Sequence, residues 1–262
     1  MPITQKPFAP RIWYPKGGPS FWALLDAPRR TMPGDVGDIA DLTGNVPALQ
    51  RGTSVSYGSD ISGGCITFAN FDTGSTATAL QANATALNSA DWTFGANFYA
   101  WNIGSLCGIM SRGTIGVPGQ FNFYMNTAAK LALDIPYVLG NVVVGNTALV
   151  QGVVYRADVV KLGTLYSIYI NGGLDATGST SSLPVNSGPI RLGGYGSLPV
   201  QKITSADFYP RALSATEIFR NYSDPFWRLR KPSSRRIYLM GNNSIQSAAA
   251  AASFIYKHRR SG

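Results

Sequence analysis

Few side chains in this 262-residue chain can do chemistry. Twelve aspartates, a single glutamate (Glu217) and a single histidine (His258) are all it offers for proton transfer near neutral pH, so most two-residue acid–base schemes lack a component. His258 sits among cations in Lys257-His258-Arg259-Arg260 with no cysteine or carboxylate beside it, which argues against a Ser-His-Asp triad and against a histidine metal site. Retaining hydrolysis of a glycosidic bond needs two carboxyl groups about 5 Å apart. No Asp-x-Asp pair falls on a predicted strand, so a glycosidase is not expected. Cys65 and Cys107 have no C-x-x-C spacing, which excludes a zinc site, and they are expected as buried free thiols rather than a bridge. Asp35, Asp38 and Asp41 form a D-x-x-D-x-x-D run beside Gly34, Gly37 and Gly44, the one candidate for calcium. Its spacing is not that of an EF-hand, and turn-forming aspartate accounts equally for each residue. Gly193-Gly194-Tyr195-Gly196 lacks the lysine and following helix of a phosphate loop and reads as a β-turn, so no cofactor is expected.

Charge is distributed unevenly. Residues 1–219 carry 13 Lys/Arg against 12 Asp/Glu, whereas the last 43 residues carry 9 against Asp224 alone. A neutral body with a basic tail suits an arm for an acidic surface: a protein face, nucleic acid or anionic lipid. The N-terminus MPITQKPFAPRIWYPKGG is broken by four prolines and offers no secretory h-region. The longest apolar run, AAAAASFIY at 248–256, is well short of the roughly 20 residues a membrane helix needs.

The elements that must position these residues are mostly strands. From about residue 64 to 210, short β-branched and aromatic runs alternate with Gly, Asn, Asp and Pro, the pattern of an all-β sandwich or barrel. Clear runs are Cys65–Phe68, Trp92–Trp101, Ser105–Ser111, Phe121–Met125, Leu149–Val160, Leu165–Ile170, Ile190–Leu192 and Ile203–Tyr209. Period-two alternation puts Trp92, Phe94, Ala96, Phe98 and Ala100 on one face, and Tyr166, Ile168 and Ile170 opposite Leu165, Ser167 and Tyr169. Asn171-Gly172-Gly173 signals a hairpin. One helix is predicted: Ser214-Ala215-Thr216-Glu217 is a capping box, Leu213 and Ile218 are placed for a hydrophobic staple, and Asp224-Pro225 ends the helix. Capping explains the single glutamate without a catalytic role.

Three segments follow: 1–37, an arm rich in proline and aromatics with a first strand; 38–224, the sandwich; and 225–262, a basic arm. In the last of these, Ile237–Met240 reads as a strand and Ser247–Tyr256 as a short Ala-rich helix. Trp13, Tyr14, Trp227, Arg228, Arg230, Arg235, Arg236 and Tyr238 combine aromatic anchors with guanidinium groups, and Lys257, Arg259 and Arg260 add charge. Trp, Tyr and Arg are the residues that usually anchor protein interfaces, so these are the predicted partner contacts.

A family resemblance rests on an ordered set of motifs. Asp41-Leu42-Thr43-Gly44-Asn45, Ile66-Thr67-Phe68, Asp91-Trp92-Thr93-Phe94, Tyr166-Ser167-Ile168-Tyr169-Ile170-Asn171-Gly172, Ile190-Arg191-Leu192-Gly193-Gly194 and Asp207-Phe208-Tyr209-Pro210-Arg211-Ala212-Leu213-Ser214-Ala215-Thr216-Glu217-Ile218 occur in sequence over residues 38–224. In order and spacing the set resembles laminin-G-like, concanavalin-A-like lectin and glucanase jelly rolls. The closing FYPRALSATEI and YSDPFW look like the end of such domains in tailed-bacteriophage virion proteins. The resemblance implies two antiparallel sheets packed face to face with a curved concave side. Tyr155 stands where the family commonly has Trp, and the paired glutamates of its glucanase members are missing.

The expectation is therefore an all-β jelly-roll sandwich without enzymatic activity. Its first functional reading is a structural protein of a bacteriophage particle, a capsid decoration or a head or tail accessory protein. The arms would bind capsid, portal or tail proteins, or further copies of the chain, in a virion built in the host cytoplasm. The alternative is an adhesin that binds a host-surface glycan, and nucleic acid is the rival partner for the basic arm.

Overall fold

The computed structural model describes residues 21–24, 55–61, 64–71, 80–82, 90–100, 103–113, 121–135, 140–180, 190–192, 202–224 and 227. Two antiparallel sheets and one short helix account for nearly all of them. The eight-stranded sheet runs β12 (Gly173–Ser179), β11 (Leu165–Ile170), β10 (Val154–Leu162), β5 (Trp92–Tyr99), β14 (Lys202–Tyr209), β3 (Gly64–Phe71), β2 (Val55–Ile61), with β1 (Phe21–Leu24) also paired to β14. The six-stranded sheet runs β4 (Leu80–Ala82), β13 (Ile190–Leu192), β6 (Cys107–Arg112), β7 (Phe121–Met125), β8 (Lys130–Ile135), β9 (Gly140–Ala148). Among the described residues no helix is long and apolar enough to cross a membrane.

Alternation places the core between the sheets. Trp92, Phe94, Ala96, Phe98 and Ala100 are all buried on the inner face of β5 and its end, as their spacing predicts. Trp92 stacks on Phe121 of the opposite sheet at 4.8 Å between centroids and meets Tyr166 edge-on at 6.3 Å. Tyr155, the predicted replacement for a Trp, fits because its ring packs with Phe98 while its hydroxyl accepts from the Val150 N–H at 2.9 Å. Cys107 is buried, and its pKa is pushed up to about 11 by that burial. The run predicted as one strand over Leu149–Val160 begins only at Val154, because Leu149–Val153 form a turn whose amides are bonded back to Ala129 and Ala100.

The outer face of the eight-stranded sheet holds a buried ion cluster. In register, Gly95 of β5 lies between Asp158 of β10 and Asp207 of β14. Arg156 fills the space above the glycine and donates five hydrogen bonds: three to Asp158, at 2.5–3.0 Å, and two to Asp207, at 2.8 and 2.9 Å. Burial by itself would push the guanidinium's pKa down; attraction to both carboxylates outweighs it and holds the group firmly charged. A Cβ on Gly95 would sit 1.8 Å from Arg156 Nη2, so only glycine leaves room for the clasp.

The helix α1 (Ala215–Ser223) closes the same face. Ser214 accepts from the Glu217 amide, Glu217 accepts from the Ser214 amide, and Leu213 and Ile218 are buried with Val160 and Tyr209. The hairpin between β11 and β12 turns on Asn171 and Gly172, both in the left-handed region at φ +50° and +82°. Gly172 is also where the helix lands, since a Cβ there would stand 3.0 Å from Phe219 Cδ2. What the sequence did not indicate is Arg211, which pairs bidentately with Glu217 at 2.6 and 3.0 Å. That pair pulls Glu217 down to about 2.

Two predictions follow from these charges. Replacing Arg156 with Met leaves two buried carboxylates uncompensated and should cost about 3–5 kcal/mol in urea unfolding; a loss within experimental error would refute the clasp. Because Glu217 is depressed on folding, its contribution is complete above its unfolded pKa near 4.5 and disappears as pH falls towards 2. Glu217→Gln should flatten the stability profile across that window and cost only about 0.5 kcal/mol at neutral pH, since both partners are partly solvated.

Candidate functional site

The six-stranded sheet carries a different kind of polarity. Its inner positions, Ile190, Leu192, Ile109, Phe121, Phe123, Leu131, Leu133 and Ile135, belong to the core. One residue of opposite phase on each strand then falls into a single line across the outer face. Gln81 pairs with Arg191, Arg191 with Ser111, Ser111 with Asn122, Asn122 with Asp134 and Asp134 with Asn141. A register shift between Gly108 and Met110 keeps this phase: it lets Met110 and Arg112 turn inward with the core while Ser111 joins the outer line.

The line opens towards β8 and β9. Ser111 and Asn122 are buried, Asp134 is half-buried and Asn141 is exposed. Tyr124, one pleat further along β7, is half-buried and donates its hydroxyl to Asn141 Oδ1 at 2.7 Å. Asp134 Oδ1 is buried with no hydrogen-bond partner. Burial raises the pKa of this carboxyl, and a hydrogen bond from the Ile135 backbone opposes the rise. A buried acceptor without a partner is costly, so its presence here calls for a ligand or a compensating role. Chemically, a carboxylate, an amide and a phenol ring side by side can accept from and donate to vicinal hydroxyl groups while offering an apolar face.

Of the residues predicted from sequence, only Trp227 lies within the described structure. Its indole N–H donates to Asn221 Oδ1 at 2.9 Å, Asn221 donates to Tyr209 at 3.1 Å, and Arg220 lies 4.0 Å over its ring. Trp227 is thereby built into the end of α1. Trp13, Tyr14, Arg228, Arg230, Arg235, Arg236, Tyr238, Lys257, Arg259 and Arg260, and the calcium candidates Asp35, Asp38 and Asp41, lie outside the described residues. Among the described residues no three His, Cys, Asp or Glu side chains gather as a metal site.

The structure corrects one premise of the sequence reading. A carboxylate pair does exist, since Asp158 and Asp207 face the same side across Gly95. The pair was missed because its members are 49 residues apart, on strands that meet only in the folded sheet. Both are fully engaged by Arg156 and buried, a geometry that leaves no room for a sugar ring or a water between them. The polar line was missed too. Each of its members looked like one polar residue in an apolar strand, as in Phe121-Asn122-Phe123 or Leu133-Asp134-Ile135, and only register joins them.

A scan against protein-family models found no match, and a search of curated proteins found none. Solved structures with similar folds are numerous. The binding domain of Paraclostridial Mosquitocidal Protein 1 aligns at TM-score 0.54 and 15% identity, covering 79% of this chain and 52% of its own. Trypanosoma rangeli sialidase aligns at TM-score 0.59 and 11% identity, covering 83% of this chain and 34% of its own. Domain 4 of AbnA, a GH43 extracellular arabinanase from Geobacillus stearothermophilus solved with arabinotriose, aligns at TM-score 0.54 and 11% identity, covering 77% and 96%. The chain thus spans about half of the first structure and a third of the second. At these identities the likeness is one of fold: the protein is an all-β sandwich of two antiparallel sheets, matching jelly-roll neighbours.

Asp134 generates a pH prediction. Its folded-state pKa lies above the unfolded value of 3.8, so it costs stability as pH rises through that range and costs nothing below it. Asp134→Asn should therefore match the parent protein in acid and melt at a higher temperature at neutral pH. A lower melting temperature for the variant at neutral pH would show that the carboxylate is structural.

Proposed function

We propose that this domain binds carbohydrate without cleaving it, and that the outer face of the six-stranded sheet is its platform. The observation that carries the reading is the transverse line of polar side chains, ending in the accessible group Asp134, Asn141 and Tyr124. Fold neighbours lend support: one is the binding domain of a mosquitocidal protein, and another is domain 4 of an arabinanase in complex with arabinotriose. The locked state of Asp158 and Asp207 supports the absence of hydrolysis.

The structural-virion reading keeps one observation of its own, the 9 Lys/Arg of the last 43 residues. That feature concerns the arms and says nothing of the sheet face. Carbohydrate binding ranks first because it uses polar groups whose burial is otherwise a cost.

The test is a glycan array followed by titration calorimetry on the best ligand. Asp134→Ala with Asn141→Ala should weaken binding at least about tenfold, the loss expected for one or two ligand hydrogen bonds to polar and charged groups. No reducing ends should appear on prolonged incubation with the bound glycan. Equal affinity of the double variant, or an empty array, would overturn the proposal.

A further inference from the structure

We infer that the platform selects an anionic sugar, whose carboxylate or sulfate group is held by Arg191; this rests on the carbohydrate reading above. Arg191 lies on the short strand β13 between two core residues, Ile190 and Leu192, so its outward direction is fixed by the pleat. The residue is only 6% exposed. Its Nη1 donates to the Gly113 carbonyl, while its Nε is buried with no partner. Among the described residues no carboxylate pairs with it. Burial lowers the pKa of the guanidinium.

The contrast with Arg156 gives this weight. That guanidinium is buried still more completely but has two carboxylates and five hydrogen bonds. A buried cation without a counter-ion is among the most costly arrangements a fold can keep. An oxyanion from a ligand would supply what Asp158 and Asp207 supply to Arg156, and the planar fork of guanidinium suits carboxylate and sulfate alike.

The rest of the line agrees with an acid that is part of a sugar. Asp134 stands three strands from Arg191, about 14 Å at the usual strand spacing. That is far beyond the roughly 4 Å reach of an ion pair, so Asp134 is not the counter-ion of Arg191. The line from β13 to β9 is about 19 Å long, more than a single pyranose ring.

Calorimetry on the full chain with three probes tests this: a trigalacturonate, its carboxyl-reduced neutral counterpart, and a sulfated galactose disaccharide that carries no carboxyl group. The trigalacturonate should bind about tenfold or more tighter than the neutral form, as expected for charge-assisted hydrogen bonds, and added salt should shrink the difference. Arg191→Gln should abolish the preference, so that the trigalacturonate binds no tighter than its neutral counterpart. Arg191→Lys, which keeps the charge but loses the fork, should retain part of it and serves if the Gln variant does not fold. Binding of the sulfated probe in place of trigalacturonate, lost in the same variants, would identify sulfate as the anion. If the neutral trisaccharide binds as well as either acid, or the preference survives in the Gln variant, the inference fails while the carbohydrate reading stands. Failure of all probes together with an empty array removes both.

Discussion

Arg156 has to lie between two carboxylates for the centre of the eight-stranded sheet to exist as it does, because β10, β5 and β14 meet there with charge on the face away from the core. Each aspartate alone in that position would be a buried anion; together with the guanidinium they form a cluster of five short hydrogen bonds. Slipping β10 or β14 by one residue would turn Asp158 or Asp207 towards the core and put an apolar residue in its place. The clasp therefore fixes register, and register fixes which side chains point inward. Trp92, Phe94 and Phe98 fill the core because Gly95 and Asn97 between them face the other way. Tyr209 and Val160 face outward on the same grounds and receive the helix.

The sandwich is closed at one side by a second carboxylate. Asp175 of β12, an edge strand, accepts from the amides of Asn146 and Thr147 on β9, the edge of the other sheet, at 2.9 and 3.0 Å. Asn146 returns a bond to the Asp175 carbonyl. Two edges that would otherwise expose unpaired backbone are tied together without merging the sheets. This joint sits at the opposite end of β9 from Asn141, which Tyr124 holds, so the strand that ends the polar line is tied at both ends of its length.

The two sheets divide their polar groups between holding and binding. On the eight-stranded side the buried charges are satisfied internally, and Thr93 spends its hydroxyl on the chain entering the helix. On the six-stranded side, Asp134 Oδ1 and Arg191 Nε are buried and unpaired. Trp92 Nε1 and the Tyr166 hydroxyl, in the core, are likewise buried without a partner, so such atoms are not confined to this face; Asp134 and Arg191 differ in lying on one outward row.

Much of the scaffold is legible in the sequence by itself. Period-two runs marked the inner face of β5 and β11, Asn171-Gly172 marked a turn with two left-handed residues, and Ser214 to Glu217 marked the helix start, because each signal is local and depends on neighbours within a few residues. The weaker strands β8, β9 and β12 stood out less, since Lys130–Ile135 and Gly140–Ala148 are held by pairing rather than by a strong pattern of their own. Only the tertiary structure decided the site. Asp158 and Asp207, Arg211 and Glu217, and the line from Arg191 to Asn141 are brought together by strand order and register, which depend on contacts between residues tens of positions apart. A sequence records which residues alternate; which of them share a row is set by how the strands stack, and that is a property of the folded sheet alone.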